Sequence, residues 1–139
     1  MMARATILLV WATVAGAWHA ADYGSSNLRQ QQTAPVNSVR ASLRAVASMQ
    51  NVYYQEHGTF SADIEVLKQI PGCKIAEGVT VTIVYASENG FGMEATHPEY
   101  EGRSCVQWYG EPGVVPVVAT KKEGKRGDES PGRVVCDDP

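Results

Sequence analysis

The chain has 139 residues, 44% of them hydrophobic and 19% charged, with fifteen acidic against twelve basic side chains for a formal net charge of -3. This length points to one domain, able to bury roughly two thirds of the surface its unfolded form exposes. The apolar content excludes a disordered chain, and the lack of a basic excess argues against a nucleic-acid or anionic-membrane partner.

In chain order, residues 1–17 read as a signal peptide or an N-terminal apolar helix. Arg4 precedes ILLVWATVAGA (residues 7–17), apolar apart from Thr13. From Ala5 to Ala17 a helix rising about 1.5 Å per residue reaches only ~20 Å, short of the ~30 Å of hydrocarbon a spanning helix crosses. Ala15-Gly16-Ala17 fits the small-x-small rule, which places a signal cleavage between Ala17 and Trp18. The alternative extends the helix to Ala21 and keeps it in the membrane, with Trp11 and Trp18 as interfacial anchors. On both readings the body is exported, to the periplasm, the cell envelope or the extracellular space. Membrane contact is then made only through this segment, and three cysteines in a small exported domain favour a disulfide over a metal.

Residues 18–37 read as a polar linker, with Gly24, a Gln run and Pro35 and few residues for a core. Asn37 or Ser38 can cap the next helix, since a short side-chain oxygen accepts from an unpaired first-turn amide. Val39, Leu43, Val46, Gln50 and Tyr53 recur at intervals of 4, 3, 4 and 3, one face of a helix over residues 39–57 that stops at Gly58. Ser61 can cap a second, short helix carrying Ile64, Leu67 and Lys68 and ended by Pro71-Gly72.

Residues 79–86 (VTVTIVYA) alternate as a strand with Val79, Val81, Ile83 and Tyr85 on one face. Asn89-Gly90 tolerates the backbone of a tight hairpin turn. A second strand follows, with Phe91, Met93 and Ala95 on one side, closed by His97-Pro98. A third strand is expected at residues 104–109 and a fourth at 133–136. Between them, residues 111–132 read as a loop. Its run KKEGKRGDE (residues 121–129) has four basic against three acidic residues and reads as a solvated surface. The predicted fold is therefore α+β: a long N-terminal helix packed on a three- to four-stranded antiparallel sheet, with residues 38–139 as the domain. The helix face of Val39, Leu43, Val46 and Tyr53 is expected to bury against Val81, Ile83, Met93 and Ala95.

Motifs with catalytic mechanics are missing: there is no G-x-S-x-G, no phosphate loop, no H-E-x-x-H and no C-x-x-C. His97-Pro98-Glu99 has H-x-E spacing without the P-C-x-x-C half of a deaminase zinc site. His57 falls at a helix C-terminus, where capping explains it. The expectation is a non-enzymatic protein with no catalytic, cofactor-binding or metal residues and no cofactor. Sequence order leaves three cysteine pairings open. Position favours Cys105 with Cys136, a bond that pins the 111–132 loop and leaves Cys73 either buried or joined to a second chain. A Cys73 nucleophile served by His57 or His97 is the enzymatic alternative.

Leu43-Arg44, Ala47, Gln50, Tyr53-Tyr54 and Gly58-Thr59-Phe60, then Gly78-Val79-Thr80-Val81, Asn89-Gly90-Phe91, Ala95-Thr96-His97, Cys105 and Cys136-Asp137, together resemble type IV pilins and the pseudopilins of type II secretion. The resemblance covers residues 39–137. It implies a helix lying across a small antiparallel sheet, a disulfide tying the carboxy-terminal region, and a structural subunit with protein partners, through self-assembly or envelope machinery. The start departs from that family: Arg4 stands where a leader Gly is expected, and Leu9 where an acidic residue is expected if Ala5 is first. The alternative is a soluble secreted binding module that keeps the fold and no longer assembles.

Overall fold

The stripe of Val39, Leu43 and Val46 demands an apolar surface to pack on, and in the computed structural model a four-stranded sheet supplies it. The structure describes residues 15–139, with side chains from residue 33. The chain divides into the units Met1–Gln32 and Thr33–Pro139. Of the expected apolar segment only Ala15, Gly16 and Ala17 fall within the described backbone, and the Ala17/Trp18 junction precedes the described side chains.

Helix α1 runs Ala15–His57, 43 residues, and so takes in the stretch expected to be a linker. Asn37 and Ser38 are interior helical residues, not caps, and Pro35 lies inside the helix. The expectation rested on local preferences. Proline removes one backbone donor and disfavours a helix interior, but tertiary burial overrides that cost here. Val36 is buried and stands three residues before Val39 and seven before Leu43, so it prolongs the apolar stripe by one turn. At the other end Gly58 adopts φ 70°, and its N–H donates to the Tyr54 carbonyl at 2.8 Å. His57 stacks on Tyr53 with centroids 4.0 Å apart, and its Nδ1 lies 3.1 Å from the Tyr53 carbonyl oxygen, as a helix-end cap should.

Gln50, within the same stripe, is fully buried and fully used: Nε2 donates to the Ser61 carbonyl at 2.7 Å and Oε1 accepts the Ser61 N–H at 2.8 Å. This pair holds the chain as it leaves the helix. Helix α2, Ile64–Lys68, is capped by Asp63, whose Oδ1 accepts from the Glu65 amide at 2.9 Å. Ser61 was the expected cap; its hydroxyl instead accepts from the Asp63 amide and fixes the turn ahead of the helix.

The sheet has the order β1-β2-β3-β4, with every pair antiparallel: β1 Thr80–Ser87, β2 Gly90–Thr96, β3 Cys105–Gly110 and β4 Val134–Cys136. The strands appear where the alternation put them, within a residue. Tyr85 departs from the face expected for it. Ile83 pairs with Met93 but Tyr85 pairs with Gly92, so Val84 is an extra residue and β1 carries a bulge. Beyond it the side chains change sides: Ala86 joins Val79, Val81 and Ile83 toward the helix, and Tyr85 turns to the opposite face.

The helix-side core gathers Val39, Leu43, Val46, Leu67, Met93 and Cys105, all fully buried, with Val81 and Ala95 beside them and Tyr53 and Ile83 partly buried at its margin. On the other side of the sheet, residues 111–132 form a second layer in place of a free loop. Val115 and Val118 pack on Val106 and Trp108. Gly92 lets this layer come close to β2, because a Cβ there would stand 2.8 Å from Val118 Cγ1. The loop's apolar residues were too few and too irregularly spaced to show a period.

Candidate functional site

The disulfide joins Cys105 on β3 to Cys136 on β4, opposite each other in the ladder and 31 residues apart in sequence. Next to it stands Asp137, 1% exposed, the centre of the loop-side layer. Its Oδ2 accepts from the amides of Ser104 at 3.0 Å and Lys122 at 2.9 Å, and its Oδ1 from the amide of Glu123 at 2.8 Å. Burial opposes ionisation of this carboxyl. The hydrogen bonds from Thr120 and the three amides outweigh that and hold it below the usual carboxylate range. Tyr100 donates its hydroxyl to the Asp137 carbonyl, and burial together with the Asp137 charge pushes the phenol up to about 12.

The charged run at 121–129 is thus not simply solvated. Its side chains are largely exposed, but its backbone is tied to Asp137 and to Ser104, whose Oγ accepts from the Lys121 amide at 2.9 Å. Lys125 bridges Glu123 at 2.8 Å and Asp138 at 3.3 Å, and Arg126 pairs with Asp128 at 2.8 Å. The chemistry of Asp137 is structural: all the donors around it come from this chain. Nothing in the local sequence marks it, since it becomes an organiser only when amides from two distant segments, Ser104 and Lys122-Glu123, converge on it.

At the C-terminal end of α1 an open cleft of about 360 Å³ is lined by Asn51, Tyr54, Phe60, Glu88, Tyr109 and Glu111. Phe60 is its apolar floor: it stacks on Tyr54 at 4.6 Å and meets Phe91 edge-on at 4.9 Å and Tyr109 at 6.1 Å. Tyr109 is 50% exposed and Tyr54 39%. Two aromatic faces, an amide and two carboxylates suit contact with a polar surface that also offers apolar area. The sequence pointed to Tyr54 and Phe60 only as parts of the helix end; the hairpin brings Tyr109 and Glu88 beside them.

The cysteine-histidine constellation does not assemble. Cys73 packs at the edge of the helix-side core, and burial raises its thiol pKa, with Lys68 opposing weakly. That is the reverse of an activated thiolate. No imidazole hydrogen-bonds it among the described residues; His57 caps α1, and His97 accepts the Glu99 amide on Nδ1 at 3.0 Å. Among the described residues no three His, Cys, Asp or Glu side chains cluster to hold a metal ion, and no helix is long and apolar enough to cross a membrane. Comparison with known proteins returns neither a matching family model nor a matching curated protein.

Proposed function

We propose that the protein is a non-enzymatic, pilin-like structural or interaction subunit of the bacterial cell envelope, of the pilus or type II secretion kind. The observation that carries this reading is one long helix on a four-stranded antiparallel sheet whose last strand is tied back by Cys105–Cys136. Those are the elements the resemblance implies. The disulfide is compatible with an oxidising, exported location. Function then lies in surfaces: the aromatic cleft and the outer flank of α1 are what the domain offers to a partner. Nothing at Cys73 supports the enzymatic alternative, because its thiol is both partly buried and raised in pKa.

A soluble secreted binding module with the same fold is the second reading. It is favoured by the Ala15-Gly16-Ala17 junction and by a cleft that belongs wholly to the unit Thr33–Pro139. Intact mass of the protein from its own host, combined with cross-linking of whole cells, separates the two. A chain retaining residues 5–17 that cross-links into a ladder of protein complexes is expected for the envelope subunit. A chain starting at Trp18 and cross-linking to nothing overturns it and leaves the secreted module.

A further inference from the structure

Arg40 and Arg44 lie one turn apart on the flank of α1 that runs beside the β4 edge of the sheet, and Arg133 leads into that strand. With Gly132 and Val134 they line a cleft of about 460 Å³. Among the described residues none of the three guanidinium groups has a carboxylate within ion-pair distance or a side-chain hydrogen bond, whereas Arg126 and Lys125 are paired. Glu129 shares a groove with Arg133 without pairing to it. Like charges one helical turn apart repel, so the Arg40–Arg44 spacing is unfavourable for the helix by itself.

Both walls are held in place from behind. Arg40 and Arg44 flank the buried stripe of α1, next to Val39 and Leu43. Across from them, Gln107, 5% exposed, donates Nε2 to the Gly132 carbonyl at 3.1 Å, which pins the backbone that carries Arg133. Guanidinium forks held at the edge of a cleft grip planar or tetrahedral oxygen acids by paired hydrogen bonds, better than lysines do. The net charge of -3 for the whole chain gives no sign of this local group of three arginines.

We propose that the cleft of Arg40, Arg44 and Arg133 is an oxyanion site, which binds a phosphate or carboxylate group carried by a ligand or partner. This inference does not depend on the envelope reading. Its test is a chemical-shift titration of the whole, isotope-labelled chain with sodium phosphate, sodium glutarate and sodium chloride at matched ionic strength. Saturable shifts at Arg40, Arg44 and residues 132–134 in phosphate or glutarate, and none in chloride, are expected. The tighter of the two anions identifies the source as a phosphoryl or a carboxylate group. Arg44→Gln with Arg133→Gln should weaken binding about tenfold or more, while Arg126→Gln, whose guanidinium is already occupied by Asp128, leaves it unchanged. A variant whose shifts away from the cleft match the parent is folded, so its loss of binding counts. Equal effects in chloride, or equal weakening by Arg126→Gln, reduce the cleft to general screening and overturn the proposal.

Discussion

The two faces of the sheet are built by different means. Toward α1 the core is made of side chains that recur at helical spacing on one element and alternate on the other. Val39, Leu43 and Val46 lie in one core with Val81, Met93 and Ala95, beside which Gln50 and Ser42 make side-chain hydrogen bonds to backbone. On the opposite face a 22-residue stretch without regular spacing is held by a buried carboxylate and an indole hydrogen bond, Trp108 Nε1 to the Pro116 carbonyl at 3.1 Å, while the disulfide that closes the chain around it lies on the α1 side of the sheet. Periodic burial organises the first face from within each segment; convergence of distant segments organises the second.

The comparison breaks first at its strongest point. Leu43→Asp puts an unpaired charge in a fully buried site, at a cost of about 5 kcal/mol or more, and should abolish cooperative unfolding. An unchanged melting curve by circular dichroism would dismiss the helix-on-sheet core. Next in size is the disulfide. Replacing Cys105 and Cys136 together by serine should destabilise by roughly 3 to 4 kcal/mol, the chain entropy of a loop closed across 31 residues. The chain that the disulfide closes contains the 111–132 layer and the sulfurs lie in the α1-side core, so hydrogen exchange should show lost protection in 111–132 and in β3 and β4; protection unchanged in 111–132 would mean that the bond does not hold the second layer.

Asp137→Asn comes third, at about 2 kcal/mol, because the backbone donors of Ser104, Lys122 and Glu123 lose a charged acceptor. The sign of its pH dependence follows from a native pKa below the unfolded value of about 3.9. The contribution is complete above that value and is lost as pH falls through the lower native pKa. Parent and variant stabilities should therefore converge on acidification below about pH 4, and a gap that persists there would mean that the carboxylate charge is not what matters. Smallest is Trp108→Phe, which keeps the ring packing and removes one hydrogen bond to Pro116, for about 1 kcal/mol in denaturant unfolding. By comparison, breaking the exposed Lys68–Glu65 pair should change stability by no more than about 0.5 kcal/mol.

What was legible in the chain follows the same division. The stripe from Val39 to Tyr53, the β-branched run of β1 and the partners Met93 and Ala95 follow from spacings of 3.6 and 2, which short windows reveal. The helix extends N-terminal to the breaker and cap signals of Pro35 and Asn37, because the burial of Val36 against the core is a tertiary contact that local preferences do not report. Tyr85 was assigned to the wrong face because a bulge has no strong signature in the bulged strand itself; Val84, 57% exposed, is the residue that absorbs the slip. Of the candidate surfaces, Tyr54 and Phe60 were visible as neighbours in sequence, whereas Tyr109, Glu88 and the cluster of Arg40, Arg44 and Arg133 join only across the sheet.

The amino-acid sequence by itself determined the elements and the apolar faces that pack them, an α+β domain with one helix against an antiparallel sheet, because periodicity is written locally. It also placed Cys105 and Cys136 at positions that a ladder brings face to face. Only the tertiary structure decided the second layer, the bulge, the carboxylate knot at Asp137 and the arginine cleft. The bulge depends on the register across a hairpin, and the other three on groups more than a dozen residues apart, whose meeting is set by chain closure and burial and not by any local preference.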